Sequence, residues 1–347
     1  MGTTRPGPTH PAWTVDDTGR KRTCIEVPPL NAPPDQAVQT PLNAELIAVL
    51  VAVGEDRPRV LTLSDGAALP SGPLERAHRS LQSGLRSWVE QQTHHPLGHI
   101  EQLYTFADRD RAGGSVQSIS ISYLALTRVG ISDAGWRDWY AYFPWEDQRG
   151  VAGVQAARAI GASLIAWSDA ARGSTSQQRR QRCAISFGLD GMPWDEELVL
   201  QRYELLHEAG LVEEARLTEE PGLGDGTGLA EAPPPHTGRS MLHDHRRILA
   251  TGIARLRARI KYRPVVFELM PPSFTLLQLQ LAFEALAGRR LHKQNFRRLI
   301  EQQNLVEETG ALADRAVGRP AKLFRFRREV LQARHAAGSK LPLTRMS

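Results

Sequence analysis

The chain has 347 residues, of which 41% are hydrophobic and 23% are charged, with a formal net charge of +5 at pH 7. This length allows two domains with a sizeable core, and the composition is that of an ordinary folded protein rather than a disordered or fibrous one. No run of 18 apolar residues occurs, which excludes a membrane-spanning helix, and the N-terminal segment lacks the apolar core of a signal peptide.

Basic charge is concentrated in the last third of the chain. From Met241 to Ser347 there are 21 Lys and Arg against 8 Asp and Glu, which gives a net charge of +13. The remaining 22 basic and 30 acidic residues give the first 240 positions a net charge of −8. A basic end on an acidic chain favours a polyanionic partner for that end. The two cysteines, Cys24 and Cys183, have no spacing typical of a zinc site or a disulfide framework, so we expect a reducing cytoplasm.

The first 42 residues are rich in Pro, Thr and Asp and show no periodicity, so we expect a disordered arm over residues 1–42. From Ala44 the pattern becomes regular, and apolar runs and polar–apolar alternation predict four strands around one amphipathic helix. The predicted strands are 44–53, 58–63, 100–106 and 115–126, and the predicted helix is 74–92. Strands mixed with a helix in this way predict an α/β domain.

The middle of the chain is helical in pattern. Predicted helices cover 151–167, 194–215 and 242–261; we interpret 150–217 as a helical insertion and 218–239 as a flexible Gly/Pro loop. His243, Asp244 and His245 are interpreted as a helix start with interdomain packing rather than a metal site, because Asp and His occur readily at such helix ends. Five aromatic residues are expected to anchor packing, with ligand stacking as the alternative: Trp136, Trp139, Phe143, Trp145 and Trp194.

The segment 72–93 has the position and length of a Nudix box. In that box, carboxylates at i, i+3 and i+4 share one helix face and hold Mg²⁺ against a diphosphate. Aligned on Gly72 and Arg86, the segment fits the box without a gap. The four carboxylate positions of the box are occupied here by His78, Ser87, Glu90 and Gln91.

With a single carboxylate of four retained, the domain resembles a Nudix fold that lacks its hydrolase centre. An unrelated amphipathic helix is the alternative interpretation. We therefore predict no catalytic residue and no metal site. The candidate effector-binding residues are Arg79, Arg86 and Glu90.

The stretch 274–328 predicts a winged helix-turn-helix. Apolar residues recur at helical spacing over 274–286, Ala287 and Gly288 supply a turn, and 291–302 is a second amphipathic helix. A hairpin bracketed by 309–310 and 317–320 follows, and it returns as a basic strand over 322–328.

The second helix exposes side chains that can bond base edges, and the Gly-Arg-Pro tip suits phosphates or the minor groove. A winged fold used for protein contacts is the alternative. The candidate DNA-binding residues are Thr275, Gln278, Lys293, Gln294, Asn295, Arg297, Arg298, Arg315, Arg319 and Lys322.

Three segments carry a family resemblance: HDHRRILATGIARLRARIKYRPVVFELMPPSFTLLQLQ at 243–280, HKQNFRRLIE at 292–301 and GRPAKLFRF at 318–326. With them the chain resembles the Nudix-related transcriptional regulators of bacterial NAD metabolism, the NrtR/NadQ type, over roughly residues 43–330. The aromatic segment WYAYFPWEDQRG at 139–150 and the helical segment at 194–212 make it look closer to the NadQ branch.

The resemblance implies a homodimeric repressor of NAD biosynthesis or salvage genes. Its partners would be double-stranded operator DNA and a small adenine nucleotide effector (NAD, ADP-ribose or ATP), with no cofactor and no membrane association. The implied fold is an α/β Nudix-like sandwich domain over 43–261, a C-terminal winged helix-turn-helix domain over 262–330 and a basic tail over 331–347. The alternatives are an active Nudix pyrophosphatase with an accessory nucleic-acid-binding domain, and an architectural winged helix protein.

Overall fold

The computed structural model describes residues 13–15, 21–23, 42–54, 56–95, 97, 100–107, 117–128, 135–218, 235–262, 265–313 and 320–327. The chain divides into two compact units, 1–41 and 42–347. In the first unit, strands β1 (Trp13–Val15) and β2 (Lys21–Thr23) pair antiparallel, within the stretch for which the sequence predicts a disordered arm.

A mixed sheet forms the centre of the second unit. Its strands are β3 (Leu42–Gly54), β4 (Arg57–Leu61), β5 (Ser71–Pro73), β6 (Ile100–Phe106), β7 (Gln117–Leu126) and β8 (Trp136–Asp138). They lie in the spatial order β6-β7-β3-β4-β8, and β5 also pairs with β3. The pairing of β3 with β7 is parallel, and the other pairings are antiparallel. The continuous apolar run of β3 explains its central place, because such a strand must be covered on both faces.

Both faces of β3 are buried, and alternate side chains enter different clusters. Leu46, Ala48 and Leu50 pack with Leu85 and Val89 of helix α1 (Leu81–Thr93) on one face. On the other face Ile47, Val49 and Val51 join the large cluster formed by the remaining helices. The sheet is thus covered by helices on both sides, which confirms the predicted α/β sandwich.

The helices of the second face are α2 (Val151–Ala170), α3 (Gly173–Phe187), α4 (Val199–Glu208), α5 (Glu213–Thr218) and α6 (His245–Tyr262). The aromatic anchors predicted from the sequence lie as expected: Trp136, Trp139, Phe143 and Trp145 are buried, and Trp194 is half-buried. Among the helices in the described ranges, none is long and apolar enough to cross a membrane.

The helix predicted over 74–92 is wrong at its start, because α1 begins seven residues later. Ser80 caps the helix, and Ser80 and Ser83 exchange side-chain-to-backbone hydrogen bonds in a capping box. Upstream, 71–73 pairs with β3 as β5, and the backbone N–H of Leu74, the first residue of the predicted helix, donates to the carbonyl of Ala44 in β3 at 2.7 Å. Sheet pairing has overridden the apolar spacing that favoured a longer helix.

The last elements are helices α7 (Leu276–Ala287) and α8 (Lys293–Gln302) and the antiparallel strands β9 (Val306–Leu312) and β10 (Lys322–Phe326). Phe274 adds a bridge to Phe324, with backbone N–H to O distances of 2.9 and 2.8 Å, which extends the two-stranded wing. Thr309 and Gly310 were predicted to bracket the hairpin, but they lie within β9. There the pairing with β10 slips and Gly310 has a φ of +80°, so they form a bulge rather than a turn.

A buried ionic cluster joins the segment after β8 to helices α4 and α6. The carboxylate of Glu146, 1% exposed, accepts hydrogen bonds from Nε and Nη2 of Arg202 and from Nη1 of Arg257. Burial alone would raise the pKa of Glu146, but the two guanidinium groups outweigh it and hold that pKa below its ordinary value. Glu146 is therefore ionised in the folded protein. Its negative charge balances the buried guanidinium groups of Arg202 and Arg257.

The same cluster contacts the C-terminal end of α7. Helix ends leave backbone carbonyls without partners inside the helix. Here the hydroxyl of Tyr140 donates to the carbonyl of Ala285 at 2.6 Å, and Nε of Arg257 donates to the carbonyl of Leu286 at 2.9 Å. Gly288 ends the helix with a φ of +72°, and a Cβ atom there would lie 2.2 Å from the carbonyl oxygen of Glu146. The chain thus requires glycine at this point both for backbone conformation and for close approach.

Candidate DNA-binding surface and candidate effector helix

The helix-turn-helix is built on an aromatic core. Phe283 of α7 and Phe296 of α8 are buried and meet edge to face, with ring centroids 5.5 Å apart. Phe274, Leu279 and Ile300 are buried in the same cluster. Because α8 carries its apolar side chains four residues apart, at 296 and 300, burying them fixes which face of the helix points outward.

The turn between the two helices is held by buried polar groups. Oε1 of Glu284 accepts hydrogen bonds from Nε2 of Gln280 at 2.8 Å and from the backbone N–H of Leu291 at 3.0 Å. Nε2 of Gln280 also donates to the carbonyl of Leu291 at 3.1 Å. These bonds tie the start of α8 to the last turns of α7, so we treat α7 and α8 as one rigid unit, the reader head.

The outward face of α8 carries five of the candidate DNA-binding residues. Lys293, Gln294, Asn295, Arg297 and Arg298 are all exposed, as the sequence predicts. Successive helical residues are about 100° apart. Gln294 and Arg298 therefore point almost directly away from Phe296, in the position from which side chains reach base edges in a major groove. The other three lie to the sides of this stripe.

Thr275 and Gln278 occupy the N-terminus of α7. They form a capping box, in which the hydroxyl of Thr275 accepts from the N–H of Gln278 and the amide oxygen of Gln278 accepts from the N–H of Thr275. Both side chains therefore stabilise the helix start in this structure. A helix N-terminus also attracts phosphate, so their place is compatible with a backbone contact but gives no base-reading geometry.

The wing carries paired rather than isolated charges. Nζ of Lys322 lies 2.8 Å from a carboxylate oxygen of Glu308, and Nε of Arg325 lies 2.6 Å from one of Glu307. A DNA phosphate that bound Lys322 would compete with Glu308, although exposed pairs of this kind are weak. Arg315 and Arg319, the predicted wing-tip contacts, lie outside the described residues. The two glutamates were missed because their pairing depends on the cross-strand register.

The candidate effector helix α1 is bound to the sheet by its polar side chains. The indole N–H of Trp88 donates to the carbonyl of Pro73 at 2.9 Å, and the amide of Gln92 bonds both backbone groups of Ser71. Gly72 lies beneath the indole, and a Cβ atom there would come within 2.4 Å of the ring. The glycine that begins the box-like segment is thus needed for packing in this chain.

Two of the three lost carboxylate positions form a neutral pair. Ser87 and Gln91 lie on one helix face, and Nε2 of Gln91 is 3.4 Å from the hydroxyl of Ser87. Glu90 is exposed beside them. Within the part of the chain that the structure describes, no group of three or more His, Cys, Asp or Glu side chains is arranged to hold a metal ion. A hydroxyl and an amide cannot replace two carboxylates as Mg²⁺ ligands of comparable strength.

Of the three candidate effector-binding residues, Arg86 and Glu90 share one face of α1 as i and i+4, whereas Arg79 lies before the helix start at Ser80. Arg79 and Glu90 are exposed, and Arg86 is half-buried. The guanidinium of Arg86 donates to the carbonyl of Leu97, which fastens α1 to the segment that follows it. Arg86 therefore has a structural contact, and a ligand could reach its remaining surface only beside that contact.

His245 confirms the helix start predicted for the His-Asp-His segment, although its contact lies within the predicted Nudix-like domain rather than between domains. It begins α6, is 4% exposed, and its Nδ1 accepts the backbone N–H of Leu69 at 2.8 Å. Burial lowers the pKa of His245 to about 4, with a smaller opposing effect from Glu45 and a further lowering by His243. The imidazole is therefore neutral at pH 7, as an acceptor must be.

Stability is expected to fall as the pH drops from 6.5, the ordinary pKa of histidine, towards about 4. In that window the unfolded chain binds a proton that folded His245 does not, so the free energy of unfolding should decrease by up to about 3 kcal/mol. A His245→Asn variant keeps an acceptor near Leu69 without titrating and should lose this slope in urea unfolding. His94→Asn, at an exposed left-handed position, is the control. An unchanged slope in His245→Asn would contradict the assignment.

The C-terminal match to known proteins is specific. Residues 266–326 match the family model described as the NrtR DNA-binding winged helix domain. The ADPR responsive transcriptional repressor NtrR of Acinetobacter baylyi (strain ATCC 33305 / BD413 / ADP1) is 41% identical over 83 residues, which are 24% of this chain and 33% of the relative. The match therefore spans about a third of the length of that curated relative.

Solved structures give weaker likenesses. Shewanella oneidensis NrtR complexed with a 27mer DNA is 19% identical with a TM-score of 0.46, covering 83% of this chain and 95% of that one. A MutT/nudix family protein from Enterococcus faecalis is 15% identical with a TM-score of 0.44, covering 83% of this chain and 87% of that one. At these TM-scores the likeness carries no functional argument. Residues 266–326, which contain α7, α8 and the wing, therefore match the NrtR winged helix model in both sequence and fold, and the resemblance seen in the sequence is confirmed over this part of the chain.

Proposed function

We propose that this chain is a transcriptional repressor that binds duplex operator DNA through its winged helix domain and responds to a nucleotide. The observation that carries the proposal is the outward face of α8, where Gln294 and Arg298 lie opposite the buried side of the helix and are flanked by Lys293 and Arg297. An amide and a guanidinium read adenine and guanine edges, and the flanking cations suit phosphates. The domain match at 266–326 supports the same use.

The effector is an adenine nucleotide bound by the Nudix-like domain. We place ADP-ribose first, because the matched relative is named as ADPR responsive, with NAD and ATP as the other candidates. Arg79, Arg86 and Glu90 on and before α1 are the proposed contacts. The target genes that we propose are those of NAD biosynthesis or salvage, as the resemblance of the sequence implies.

The chain acts as a regulator rather than an enzyme, and it works in the cytoplasm, where bacterial DNA is. The exchange of two box carboxylates for Ser87 and Gln91 supports the loss of hydrolase chemistry. We propose a homodimer, because two symmetry-related reader heads would read the two halves of a palindromic operator. No cofactor and no membrane takes part.

The test begins by selecting the genomic fragments that the full-length protein binds. The affinity of the protein for the selected duplex is then measured by fluorescence anisotropy. The selected duplex should bind at least roughly 10³-fold more tightly than random duplex, with an affinity that falls steeply as salt rises because phosphates release counterions. Adding ADP-ribose should change the operator affinity by roughly 5- to 150-fold, the usual range of coupling between two sites.

Three outcomes would overturn the proposal. Equal affinity for selected and random duplex would remove operator recognition. An affinity that no adenine nucleotide changes would favour an architectural winged helix protein. Rapid Mg²⁺-dependent turnover of ADP-ribose or NADH, abolished in Glu90→Gln, would favour the hydrolase alternative.

A further inference from the structure

The short segment 136–140, which we call the β8 link, contacts both the candidate effector helix side and the reader head. At its first residue, Trp136 is buried in one cluster with Leu85 and Val89 of α1 and with Leu97. The ring of His95, in the segment after α1, meets the indole of Trp136 edge to face at 5.7 Å. Since Arg86 bonds the carbonyl of Leu97, a ligand that displaces α1 or Arg86 acts on the packing around Trp136.

Four residues later the chain has crossed to the other face of the sheet. Trp139 and Tyr140 belong to the large cluster that includes α7. The side chain of Asp138 accepts the backbone N–H of Tyr140 at 2.9 Å and pairs with Arg57 at 2.7 Å, which fixes the link on β4. From there the hydroxyl of Tyr140 donates to the carbonyl of Ala285, and Nη2 of Arg257 lies 3.4 Å from that hydroxyl.

The contact at Ala285 continues into the reader head through neighbouring bonded residues. Ala285 follows Glu284, and the carboxylate of Glu284 accepts the backbone N–H of Leu291, two residues before α8 begins. Gly288, between the helices, lies so close to the link that a Cβ atom there would be 3.0 Å from the hydroxyl of Tyr140. A displacement of Tyr140 would therefore be transmitted to α7 and α8 together, because packed interiors transmit strain.

We propose that the β8 link transmits nucleotide occupancy at α1 to the reader head, with Tyr140 as the positioning residue that couples the two sites. The inference rests on the proposed function, since it names the route by which the nucleotide alters operator affinity. It assigns to Tyr140 no contact with either ligand. The packed contacts along the β8 link are the physical basis of this coupling. A measured change in the effect of the nucleotide on operator affinity is the evidence that such a route requires.

The test compares the wild-type protein with Tyr140→Phe, which removes the hydroxyl and keeps the buried ring. Three quantities are measured: ADP-ribose affinity without DNA, operator affinity without nucleotide, and the ratio of operator affinities with and without ADP-ribose. The ADP-ribose affinity should stay within about twofold of wild type, while the ratio falls towards one by roughly 2- to 10-fold, the value of one hydrogen bond. A hydroxyl with a structural role only would leave the ratio unchanged.

Tyr104→Phe is the matched control, because Tyr104 lies on β6 with 58% of its surface exposed. Its ratio should equal that of wild type. A wild-type ratio in Tyr140→Phe would overturn the role of the link while leaving the proposed function intact. A wild-type protein that shows no ratio different from one would overturn the proposed function itself, and the link with it.

Amide hydrogen exchange on the wild-type protein gives an independent reading if Tyr140→Phe fails to fold. Saturating ADP-ribose without DNA should change exchange in peptides covering 136–141 and 285–290, and it should leave α3 unchanged. Exchange differences confined to residues around α1 would contradict the proposal. Differences spread equally over α3 and the link would do so as well, because the transmission would then have no preferred route.

Discussion

Replacing Arg298 by alanine is expected to abolish most of the discrimination between operator and non-operator sequences. Arg298 is two residues from both Phe296 and Ile300, which are buried, so it lies on the side of α8 opposite the core. A bidentate contact from such a side chain to a guanine edge contributes about 1–3 kcal/mol of discrimination. The selected operator should therefore bind roughly 5- to 150-fold more weakly, while binding to random duplex changes much less.

Two further variants separate base reading from charge. Lys293→Ala, at the side of the same helix, should weaken binding to all duplexes evenly and reduce the salt slope by about one. Arg180→Ala on α3, an exposed arginine outside the winged helix, should change neither quantity. Anisotropy titrations at several salt concentrations measure both effects. An even loss across all sequences in Arg298→Ala would assign Arg298 to phosphate contacts and contradict our placement of α8 in the groove.

Exchanging Glu146 for glutamine is expected to destabilise the fold strongly. The amide keeps the shape of the carboxylate but leaves the guanidinium groups of Arg202 and Arg257 buried without a counter-charge. Breaking a buried ion pair by neutralising one partner costs about 3–5 kcal/mol in the free energy of unfolding. Urea unfolding followed by tryptophan fluorescence measures the loss, since Trp145 is buried near the site.

The exposed pair between Glu208 and Arg182 is a matched control of the same chemistry. Its nearest atoms are 2.5 Å apart, yet about half of each side chain is exposed. Glu208→Gln should change stability by less than about 1 kcal/mol. Equal losses in the two variants would show that the Glu146 cluster has no special weight.

The effect of Glu146→Gln should also depend on pH. The folded pKa of Glu146 lies below its ordinary value of 4.5, so its stabilising contribution is present above pH 4.5 and is lost as the pH falls through the folded value. The difference between wild type and variant should therefore be constant near neutrality and shrink only below pH 4.5.

Local patterns predicted the secondary structure of this protein well where one physical effect dominates. The apolar run of β3 and the four-residue apolar spacing of α8 each express burial directly, and both elements lie where the sequence places them. The start of α1 was wrong because its upstream residues pair with β3, a contact that a local pattern does not contain.

The buried cluster around Glu146 could not be predicted for a related reason. Glu146 is 56 residues from Arg202 and 111 from Arg257, so only the tertiary fold brings the three together. In the sequence, each of these three charged residues looks like an ordinary exposed side chain. The exposed set on α8, by contrast, was predictable, because a helix with a defined buried side determines its own outward side.

The capping of α7 by Tyr140 and Arg257 has a consequence for modularity. A reader head cut out on its own would lose the donors for the last carbonyls of α7 and expose the buried side chains of Leu286 and Ala287. Transferring the reader head to another protein would therefore require transferring the residues that cap α7, Tyr140 and Arg257, as well. The same constraint applies to sequence change: the end of α7 and the residues that cap it must change together, so these two parts of the chain are inherited as one unit.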